Sequence, residues 1–321
     1  MSTMQVVAVA GGTGKLGRTI VEAILQSSKY EVIILSRKPD PQLEKDIGAP
    51  IVPTDYYDTK AITKILEDRN VHTLVSAITM GSPADGRPPP EIQLIQAADA
   101  SKCTKRMISS DWGFPHTKDH IDKLDSVIHK LDAQKELARV TDLETTYFLI
   151  GTFMDYWGPA EKTRLAPFPV VLDIPNNMAA IPGSGDTPVV FTHTIDVAKF
   201  VAASLALTHW DPVTYIMGDK LSWNQVVKLA EAARGREFKV SYDSLHDLKN
   251  GKRTELPGQA NVYNYVPKEA FNVLACALGT WYEEGFFNFD SGKTLNTRLP
   301  HVETLKMKDI LNEAWSTAKK D

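Results

Sequence analysis

The fold of this chain is decided by its N-terminal stretch, Val6-Val7-Ala8-Val9-Ala10-Gly11-Gly12-Thr13-Gly14-Lys15-Leu16-Gly17-Arg18. The apolar run predicts a buried strand, and the glycines predict a tight turn into a helix over residues 19–26. Gly11 permits the turn, Gly14 lets backbone N–H groups approach a pyrophosphate, and Gly17 allows close helix–strand packing. The Gly-x-x-Gly-x-x-Gly spacing in this context favours a dinucleotide-binding site over a purely structural turn.

Two basic residues follow the next predicted strand, residues 31–35. Arg37 and Lys38 stand where a site for NAD usually places an acidic residue that accepts a hydrogen bond from the ribose 2′-hydroxyl. An arginine can instead clamp a 2′-phosphate through two parallel hydrogen bonds, and Lys38 adds positive charge. The pair therefore predicts NADP(H) as the cofactor; the alternative is a solvated basic pair at a strand end.

Composition limits the classes of function. The chain has 321 residues, of which 43% are hydrophobic and 24% charged, with a net charge of −4 and a pI near 6.1. This mild acidity, together with the lack of a basic arm, argues against nucleic acid or an anionic membrane as a partner. The sequence contains neither a recognisable signal peptide nor an apolar run of the roughly 18–20 residues that span a bilayer, so we expect a cytoplasmic protein.

The sequence predicts no metal site and no disulfide framework. Cys103 and Cys276 are far apart and have no nearby metal-ligand spacing, so both are interpreted as packing residues. His116 and His120 form a close pair, but no third ligand follows at a convincing spacing.

The first half of the chain alternates between strand-like and helix-like segments. Strands are predicted over residues 6–10, 31–35, 73–77, 106–109 and 146–150, and helices over 19–26, 60–68, 91–100 and 121–140. This alternation predicts an α/β fold with a Rossmann-type doubly wound parallel sheet, whose ligand binds at the carboxyl ends of the strands. We assign residues 1–157 to this NAD(P)-binding domain.

Proline and glycine residues become frequent near Gly158 and punctuate short apolar pieces up to Pro188. We therefore expect a smaller C-terminal substrate-binding region over residues 158–321, with residues 189–220 returning to the first domain. Further helices are predicted over residues 196–207, 225–234 and 306–318, the second of them opened by Ser222 as N-cap. The long, proline-rich segment 79–90 is expected to overhang the cofactor cleft or to form a surface excursion.

Candidate chemical groups lie where the predicted strands end. A lysine near a bound nicotinamide can relay a proton, and Lys130 and Lys135 both lie on the predicted helix 121–140, although a solvated helix face is the simpler explanation for either. Four aromatic residues near the strand ends are candidates for contact with a planar substrate, or alternatively for the core: Trp112, Phe114, Tyr156 and Trp157.

The ordered set of these motifs resembles the NmrA-like group of atypical short-chain dehydrogenases, and within it the isoflavone reductase-like enzymes. The matching pieces are Gly11 to Gly17, Arg37-Lys38, Asp55 with Asp58, Ser109-Ser110-Asp111-Trp112-Gly113 in place of the family's Pro-Ser-Glu-Phe-Gly, Phe153, and Thr194-Ile195-Asp196-Val197-Ala198. The resemblance covers most of the chain. It implies an NADPH-dependent reductase acting on a small molecule, with substrate identity left open by the Asp111-Trp112 replacement.

The resemblance also implies roles for individual residues. Residues implied to hold the pyrophosphate are Gly11, Thr13, Gly14, Leu16 and Gly17, with Lys15 in the same loop. Arg37 and Lys38 are implied to bind the 2′-phosphate, and Thr79, Ser109 and Phe153 to border the nicotinamide half. Lys130 matches the family's catalytic lysine, and Lys135 remains the alternative because one extra residue follows before the next strand.

Two other functions are considered. A non-catalytic, NADP(H)-binding redox sensor of the NmrA type would bind a protein partner and turn over no substrate, and fold alone does not exclude it. A nucleotide-sugar or polyol epimerase usually needs a Tyr-x-x-x-Lys pair. Tyr56 and Lys60 have that spacing, but they lie just after the third strand, outside the usual structural context.

Overall fold

The computed structural model describes residues 4–82, 85–120 and 124–316. These ranges contain thirteen strands, β1 (Gln5–Ala10), β2 (Tyr30–Ser36), β3 (Ile51–Pro53), β4 (Val71–Ser76), β5 (Arg106–Gly113), β6 (Glu144–Leu149), β7 (Thr152–Phe153), β8 (Leu172–Asp173), β9 (Met178–Pro182), β10 (Pro188–Thr192), β11 (Val213–Tyr215), β12 (Asp219–Ser222) and β13 (Lys239–Asp243). They also contain twelve α-helices, α1 (Lys15–Ser27), α2 (Pro41–Ile47), α3 (Thr59–Asp68), α4 (Glu91–Ala100), α5 (Asp125–Leu137), α6 (Thr194–Ser204), α7 (Trp223–Arg234), α8 (Leu245–Lys249), α9 (Gln259–Val262), α10 (Lys268–Glu283), α11 (Leu295–Arg298) and α12 (Met307–Trp315). None of the helices in these ranges has both the length and the apolarity needed to cross a membrane.

A seven-stranded parallel sheet forms the centre of the molecule, in the order β3-β2-β1-β4-β5-β6-β11. Strands are added outward in one direction from β1 to β3 and in the other direction from β4 onward. The carboxyl ends of β1 and β4 therefore form the topological switch point, where sheets of this kind bind ligands. The predicted Rossmann-type parallel sheet is confirmed.

Both faces of the sheet are covered, which explains why β1 is apolar throughout. Val7 and Val9 pack with the cluster that contains α1 and α6, whereas Ala8 and Ala10 pack with the cluster that contains α3, α4 and α5. Successive side chains of a strand point to opposite faces, so a strand between two helical layers must be apolar at every position. This burial fixes the strand that delivers the glycine turn.

The C-terminal half builds a smaller layer beside the carboxyl ends of β5 and β6. It contains two three-stranded sheets, β12-β10-β7 and β13-β9-β8. Between them the chain returns to the large sheet: α6 packs against α1, and β11 pairs with β6. The segment 189–220 is expected to return to the first domain. Within it, α6 packs on the large sheet and β11 pairs in it, whereas β10 and the first residues of β12 lie in the three-stranded sheet β12-β10-β7.

Several predicted boundaries differ from the structure. Strand β5 continues to Gly113, beyond the predicted range 106–109, because an irregular segment extends it. Helix α5 occupies Asp125–Leu137, and residues 121–123 of its predicted range lie outside the described residues. Helix α12 occupies Met307–Trp315, and residues 317–318 of its prediction also lie outside them. Ser222 caps α7 as predicted, in a capping box with Gln225.

Candidate active site

The glycine turn between β1 and α1 is too tight for side chains at two positions. Gly11 has a φ of +73°, and a Cβ there would lie 2.8 Å from the carbonyl oxygen of Ala77, just beyond β4. A Cβ on Gly17 would lie 2.2 Å from the carbonyl oxygen of Gly11. Glycine at these positions therefore brings the turn, the first helical turn of α1 and the end of β4 into direct backbone contact.

Helix α1 presents an open N-terminus beside this turn. Gly14 is its N-cap, and among the described residues no side chain caps the helix there. Gly14 and Lys15 are exposed, and Thr13 and Leu16 are half-buried. The first N–H groups of a helix have no intrahelical partner and carry the positive end of the helix dipole, so this end fits a pyrophosphate.

Tyr56 stabilises the glycine turn through its hydroxyl group, a role that the sequence does not reveal. The Gly11 N–H donates to the Tyr56 hydroxyl at 3.0 Å, and that hydroxyl donates to the Leu35 carbonyl at 2.5 Å. Burial raises the pKa of Tyr56 to about 12, so the hydroxyl keeps its proton. Lys60 is exposed, while Tyr56 is buried in these contacts, so the two do not form an acid–base pair.

The basic pair follows directly after β2. Arg37 and Lys38 are both exposed, and within the described ranges neither forms an ion pair. The Arg37 charge also acts on Tyr56 beneath the glycine turn. Two free cations at the strand neighbouring β1 suit an anionic group near the adenosine end of a dinucleotide.

The proline-rich segment that follows β4 contacts elements on both sides of the switch point. Ser82 Oγ lies 3.0 Å from His129 Nε2 on α5, and the Arg87 guanidinium lies 3.8 Å from the ring centroid of Tyr57, after β3. Thr79 lies at the start of this segment and is exposed. Residues 83–84 lie outside the described ranges. The described parts of the segment thus contact α5 on one side and the residues after β3 on the other.

A buried carboxylate ties the ends of β4 and β5 together. Glu91, the first residue of α4, accepts from Ser76 Oγ at 2.6 Å, from Ser109 Oγ at 2.7 Å and from the Ser110 N–H at 2.9 Å. Complete burial raises the pKa of Glu91, against the opposing effect of these donors. The Ser109 hydroxyl is therefore engaged within the protein and its side chain is buried.

Strand β5 contains a bulge between Ser109 and Gly113, at the carboxyl end of the strand. Ser109 pairs with Tyr147 and Gly113 with Leu149, so four steps along β5 match two along β6. Within this bulge Trp112 has a φ of +52°, a conformation that non-glycine residues rarely adopt. Its indole Nε1 donates to the Ser76 carbonyl at 3.1 Å. The bulge thus holds Asp111 and Trp112 at fixed positions at the end of the strand.

An apolar cavity of about 170 Å³ opens beside the ends of β5 and β6. It is lined by Trp112, Gly113, Phe114, Gly151, Thr152, Phe153, Tyr156, Trp157, Phe168, Val170, Val171, Trp223, Leu278, Tyr282 and Phe287. The four aromatic residues predicted to contact substrate all line it, as does Phe153. This described lining contains no charged side chain, and burial raises the pKa of both Tyr156 and Tyr282. The cavity suits an uncharged, planar molecule.

Several cavity residues also have structural contacts. Trp157 Nε1 donates to the Leu172 carbonyl at 3.1 Å, and Phe114 lies 4.1 Å from Phe287 between ring centroids. The Tyr282 hydroxyl lies 3.0 Å from Thr152 Oγ1. These aromatic residues therefore take part in packing as well as lining the cavity.

The two candidate lysines have different surroundings. Lys130 Nζ lies 3.2 Å from Asp111 Oδ1 and 3.3 Å from His116 Nε2, and its side chain is only 14% exposed. Lys135 is 61% exposed and pairs with Asp132 on the outer face of α5 at 2.7 Å. The helix therefore turns Lys130 toward the end of β5 and Lys135 toward solvent.

Burial acts in opposite directions on the two partners of Lys130. Burial raises the pKa of Asp111, although the Lys130 charge and the Gln134 amide oppose it. Burial, reinforced by the Lys130 charge and by His120, lowers the pKa of His116 to about 2. His116 is thus neutral at physiological pH. No group of three or more metal-ligating side chains is arranged to hold an ion in the described part of the chain.

The neutral state of His116 predicts an acid-sensitive stability. Below the ordinary value of 6.5 the unfolded chain binds a proton at this position and the folded protein does not, so the free energy of unfolding falls as the pH falls. Between pH 6.5 and 5.0 this costs roughly 2 kcal/mol at about 1.4 kcal/mol per pH unit. Measured by urea unfolding, the decrease in the free energy of unfolding between these two pH values should be smaller by that amount in His116→Gln than in the wild type. The exposed control His301→Gln should show the same decrease as the wild type. Equal losses in wild type and His116→Gln would contradict the assignment.

This chain is similar to known proteins over most of its length. The model of the NmrA-like family matches residues 3–271. The chain is 35% identical over 300 residues to oxidoreductase BOA1 of Botryotinia fuckeliana, covering 92% of this chain and 95% of that protein. It is 25% identical over 284 residues to pinoresinol reductase 2 of Arabidopsis thaliana, covering 80% and 84%. A solved structure of AtPrR2 with NADP+ and (+)pinoresinol superimposes with a TM-score of 0.76 at 22% identity, covering 97% of this chain and 99% of that one.

Proposed function

This chain belongs to the NmrA-like family, and on that premise we propose that it is an oxidoreductase of the isoflavone reductase type. In the proposed reaction, NADPH reduces a small, uncharged aromatic or conjugated molecule that carries a carbonyl or benzylic group. The relatives named as oxidoreductases and reductases support the broad class. The cofactor and the kind of substrate are proposed from the site itself.

The proposal is supported mainly by a continuous series of contacts that connects the glycine turn to Lys130. Gly11 lies against the backbone of Ala77 and Ile78. The Ser110 hydroxyl donates to the Ile78 carbonyl at 2.8 Å, and the next residue, Asp111, pairs with Lys130. A cofactor seated at the open end of α1 and extending over the carboxyl ends of β4 and β5 therefore reaches the region of Lys130 and the aromatic cavity.

We assign the cofactor-binding roles from these positions. The open N-terminus of α1 binds the pyrophosphate through backbone N–H groups, and Arg37 with Lys38 binds the 2′-phosphate. Thr79 and Phe153 border the nicotinamide half, whereas the buried Ser109 hydroxyl acts through Glu91 by fixing the ends of the strands. A solved neighbour of the same fold holds NADP+, which supports NADP(H) for this chain.

The protein supplies the proton and the environment for the reaction. Bound NADPH supplies a hydride, and Lys130 Nζ donates a proton to the substrate atom on which negative charge develops. The aromatic walls of the cavity hold a planar substrate in one orientation and exclude water, which strengthens the electrostatic effect of the nearby ammonium. Lys135 is exposed on the outer face of α5, so we assign this role to Lys130.

The redox-sensor alternative predicts cofactor binding without turnover. A sensor has no need for a lysine held next to an apolar cavity, and this chain buries Lys130 between Asp111 and His116, behind the cavity residue Gly113. That arrangement favours an enzyme. A protein partner is expected only if the sensor alternative holds.

The proposed 2′-phosphate site predicts a change in cofactor preference. Arg37→Asp should raise the Kd for NADPH about tenfold or more, because hydrogen bonds to charged groups contribute about 1.5–3 kcal/mol. The Kd for NADH should stay the same or fall, since the new carboxylate can accept from a free 2′-hydroxyl. Arg69→Asp is the matched control: it makes the same charge change near the amino end of β4, at the opposite edge of the sheet. Fluorescence titration measures all four constants, and equal loss in both arginine variants would contradict the site.

Turnover separates the enzyme from the sensor. We would follow NADPH oxidation with a panel of aromatic enones, quinones and benzylic ethers, and include carboxylated analogues of the same rings. The proposal expects oxidation with at least one neutral member and poorer activity with its charged analogue, because the cavity lining carries no charge. Tight NADPH binding with no oxidation across the panel would favour the sensor.

A further inference from the structure

Four side chains form a closed polar group beneath Gly113, which we call the Asp111 cluster: Asp111, His116, Lys130 and Gln134. Asp111 Oδ1 lies 3.2 Å from Lys130 Nζ, and Asp111 Oδ2 accepts from Gln134 Nε2 at 3.1 Å. Lys130 and Gln134 are one helical turn apart on α5, so both reach the same carboxylate. His116 Nε2 completes the group at 3.3 Å from Lys130 Nζ.

The cluster accounts for two of the three ammonium protons of Lys130. One can be directed at the Asp111 carboxylate, whose Oδ1 lies 3.2 Å from Nζ, and one at His116 Nε2, which lies 3.3 Å away and is the acceptor in the neutral tautomer that carries its proton on Nδ1. The third has no side-chain acceptor within the cluster. Gly113 separates the cluster from the aromatic cavity, because it lines the cavity and a Cβ on it would lie 3.0 Å from Lys130 Nζ.

We propose that Asp111 is a positioning residue that, together with His116, orients the Nζ group of Lys130 so that its remaining N–H is directed past Gly113 to the substrate. The inference rests on the proposed function and specifies it: Lys130 acts as an acid, the proton of the third N–H passes to the substrate, and the electron pair of that bond remains on Nζ as the lone pair of a neutral amine. The other two N–H bonds still face Asp111 and His116. A proton from solvent then restores the Lys130 ammonium. No further reactant is required, since the hydride comes from NADPH.

The other ionisable groups around the cluster do not replace this charge. Glu91 on α4 and Tyr147 on β6 interact electrostatically with Asp111, and His120 interacts with His116. None of these three groups supplies a second positive charge beside Asp111. Burial lowers the pKa of His120, and neither a carboxyl group nor a phenol becomes positively charged. Among the described residues, Lys130 is the lysine or arginine that pairs with the Asp111 carboxylate.

The decisive variant is Asp111→Asn, which keeps the shape of the side chain and removes its charge. We expect kcat for NADPH oxidation to fall about tenfold to hundredfold, within the contribution of general acid catalysis, with the NADPH Kd changed less than about twofold. The alkaline limb of the pH–kcat profile should move to lower pH by about one unit or more, because loss of an adjacent opposite charge destabilises the ammonium.

A matched control lies on the same helix. Asp132→Asn removes the carboxylate partner of the exposed Lys135 at 2.7 Å, so it makes the same chemical change to a lysine outside the cluster. We expect its kcat and pH profile to equal those of the wild type. An unchanged alkaline limb in Asp111→Asn, or an equal shift in Asp132→Asn, would overturn the inference.

A second measurement needs no substrate and therefore separates this inference from the proposed function. The NADPH-bound protein is treated with limiting acetic anhydride across a pH series, and acetylation at Lys130 is quantified by peptide mass spectrometry. Asp111→Asn should become reactive at lower pH than the wild type, by about one unit or more. If acetylation shifts but no panel member is reduced, the proposed function fails and the inference about the ammonium stands. If turnover is found and acetylation does not shift, the inference fails alone.

Gly113→Ala keeps every charge and tests whether Lys130 reaches the substrate past Gly113. It also provides a test if Asp111→Asn does not fold. The added methyl group would lie 3.0 Å from Lys130 Nζ and 3.3 Å from Asp111 Oδ1. Because it displaces the ammonium from the cavity edge, we expect a fall in kcat of about tenfold or more with little change in NADPH Kd. Full activity in this variant would contradict the direction assigned to the third N–H.

Discussion

Replacing Lys130 with methionine lowers kcat for NADPH oxidation by about 10²- to 10⁴-fold, the range that a positioned general acid contributes. Methionine preserves the length and apolar stem of the side chain but cannot donate a proton, while the cofactor site at the glycine turn lies outside the change. The NADPH Kd should therefore stay within about twofold of the wild type. Steady-state kinetics with the best substrate of the panel, together with fluorescence titration, measures both quantities.

The control for this prediction is Lys135→Met, which makes the same substitution five residues further along α5. Lys135 is exposed and pairs with Asp132, so its loss removes a surface ion pair and should leave kcat unchanged. Retained turnover in Lys130→Met would reject Lys130 as the proton donor. A large loss in Lys135→Met alone would transfer the role to that residue.

Gly17→Ala is expected to remove NADPH binding. The added Cβ would lie 2.2 Å from the carbonyl oxygen of Gly11, and no side-chain rotation relieves this clash because the Cβ position is fixed by the backbone. The turn must move, and the N–H groups of α1 lose their positions around the pyrophosphate. The loss of two hydrogen bonds to a charged group, about 1.5–3 kcal/mol each, raises the Kd at least about a hundredfold.

The matched control is Gly292→Ala, also in a tight polar segment. A Cβ at Gly292 would meet only Asp290 Oδ1, at 3.4 Å, which is an ordinary contact. Isothermal titration of both variants with NADPH, supported by thermal unfolding, separates loss of the site from loss of the fold. Near-normal binding in Gly17→Ala would contradict the glycine turn as the cofactor site.

The sequence predicts the features of this molecule that depend on neighbouring residues. The apolar run of β1, the glycines after it and the helix that follows lie within a few residues of one another, so the pattern predicts their structure. The Ser222 cap of α7 is local for the same reason, since its partner Gln225 is three residues away. The parallel sheet also follows, because alternating strands and helices allow few other arrangements.

The supports of the site depend on contacts that are distant in sequence. Tyr56 and the Gly11 N–H that it accepts are 45 residues apart, and Glu91 lies 18 residues before Ser109. A tyrosine after a short strand and a glutamate at a helix start are both common, so neither indicates a partner until the chain has folded. The resemblance implies that Ser109 borders the nicotinamide half, but it does not indicate that the Ser109 hydroxyl donates to Glu91.

The bulge in β5 is a further feature that the pattern does not predict. The run Ser109-Ser110-Asp111-Trp112-Gly113 loses the alternation of a regular strand, so the predicted strand stops at Ser109. In the structure, pairing resumes at Gly113 after an irregular segment in which Trp112 has a positive φ. The choice between Lys130 and Lys135 depends on this segment, because it is the position of Asp111 that distinguishes the two lysines.

We propose that this chain transfers a hydride from NADPH to a small neutral substrate. The most direct measurement uses NADPH deuterated at C4 of the nicotinamide, in separate 4R and 4S forms, with the enones and benzylic ethers of the panel, whose products keep the label on carbon, and mass spectrometry of the products. We predict one deuterium in the product from one of the two forms, and loss of that product in Lys130→Met. NADPH that binds tightly but transfers no label to any panel member, from either form, would contradict the account and favour a redox sensor.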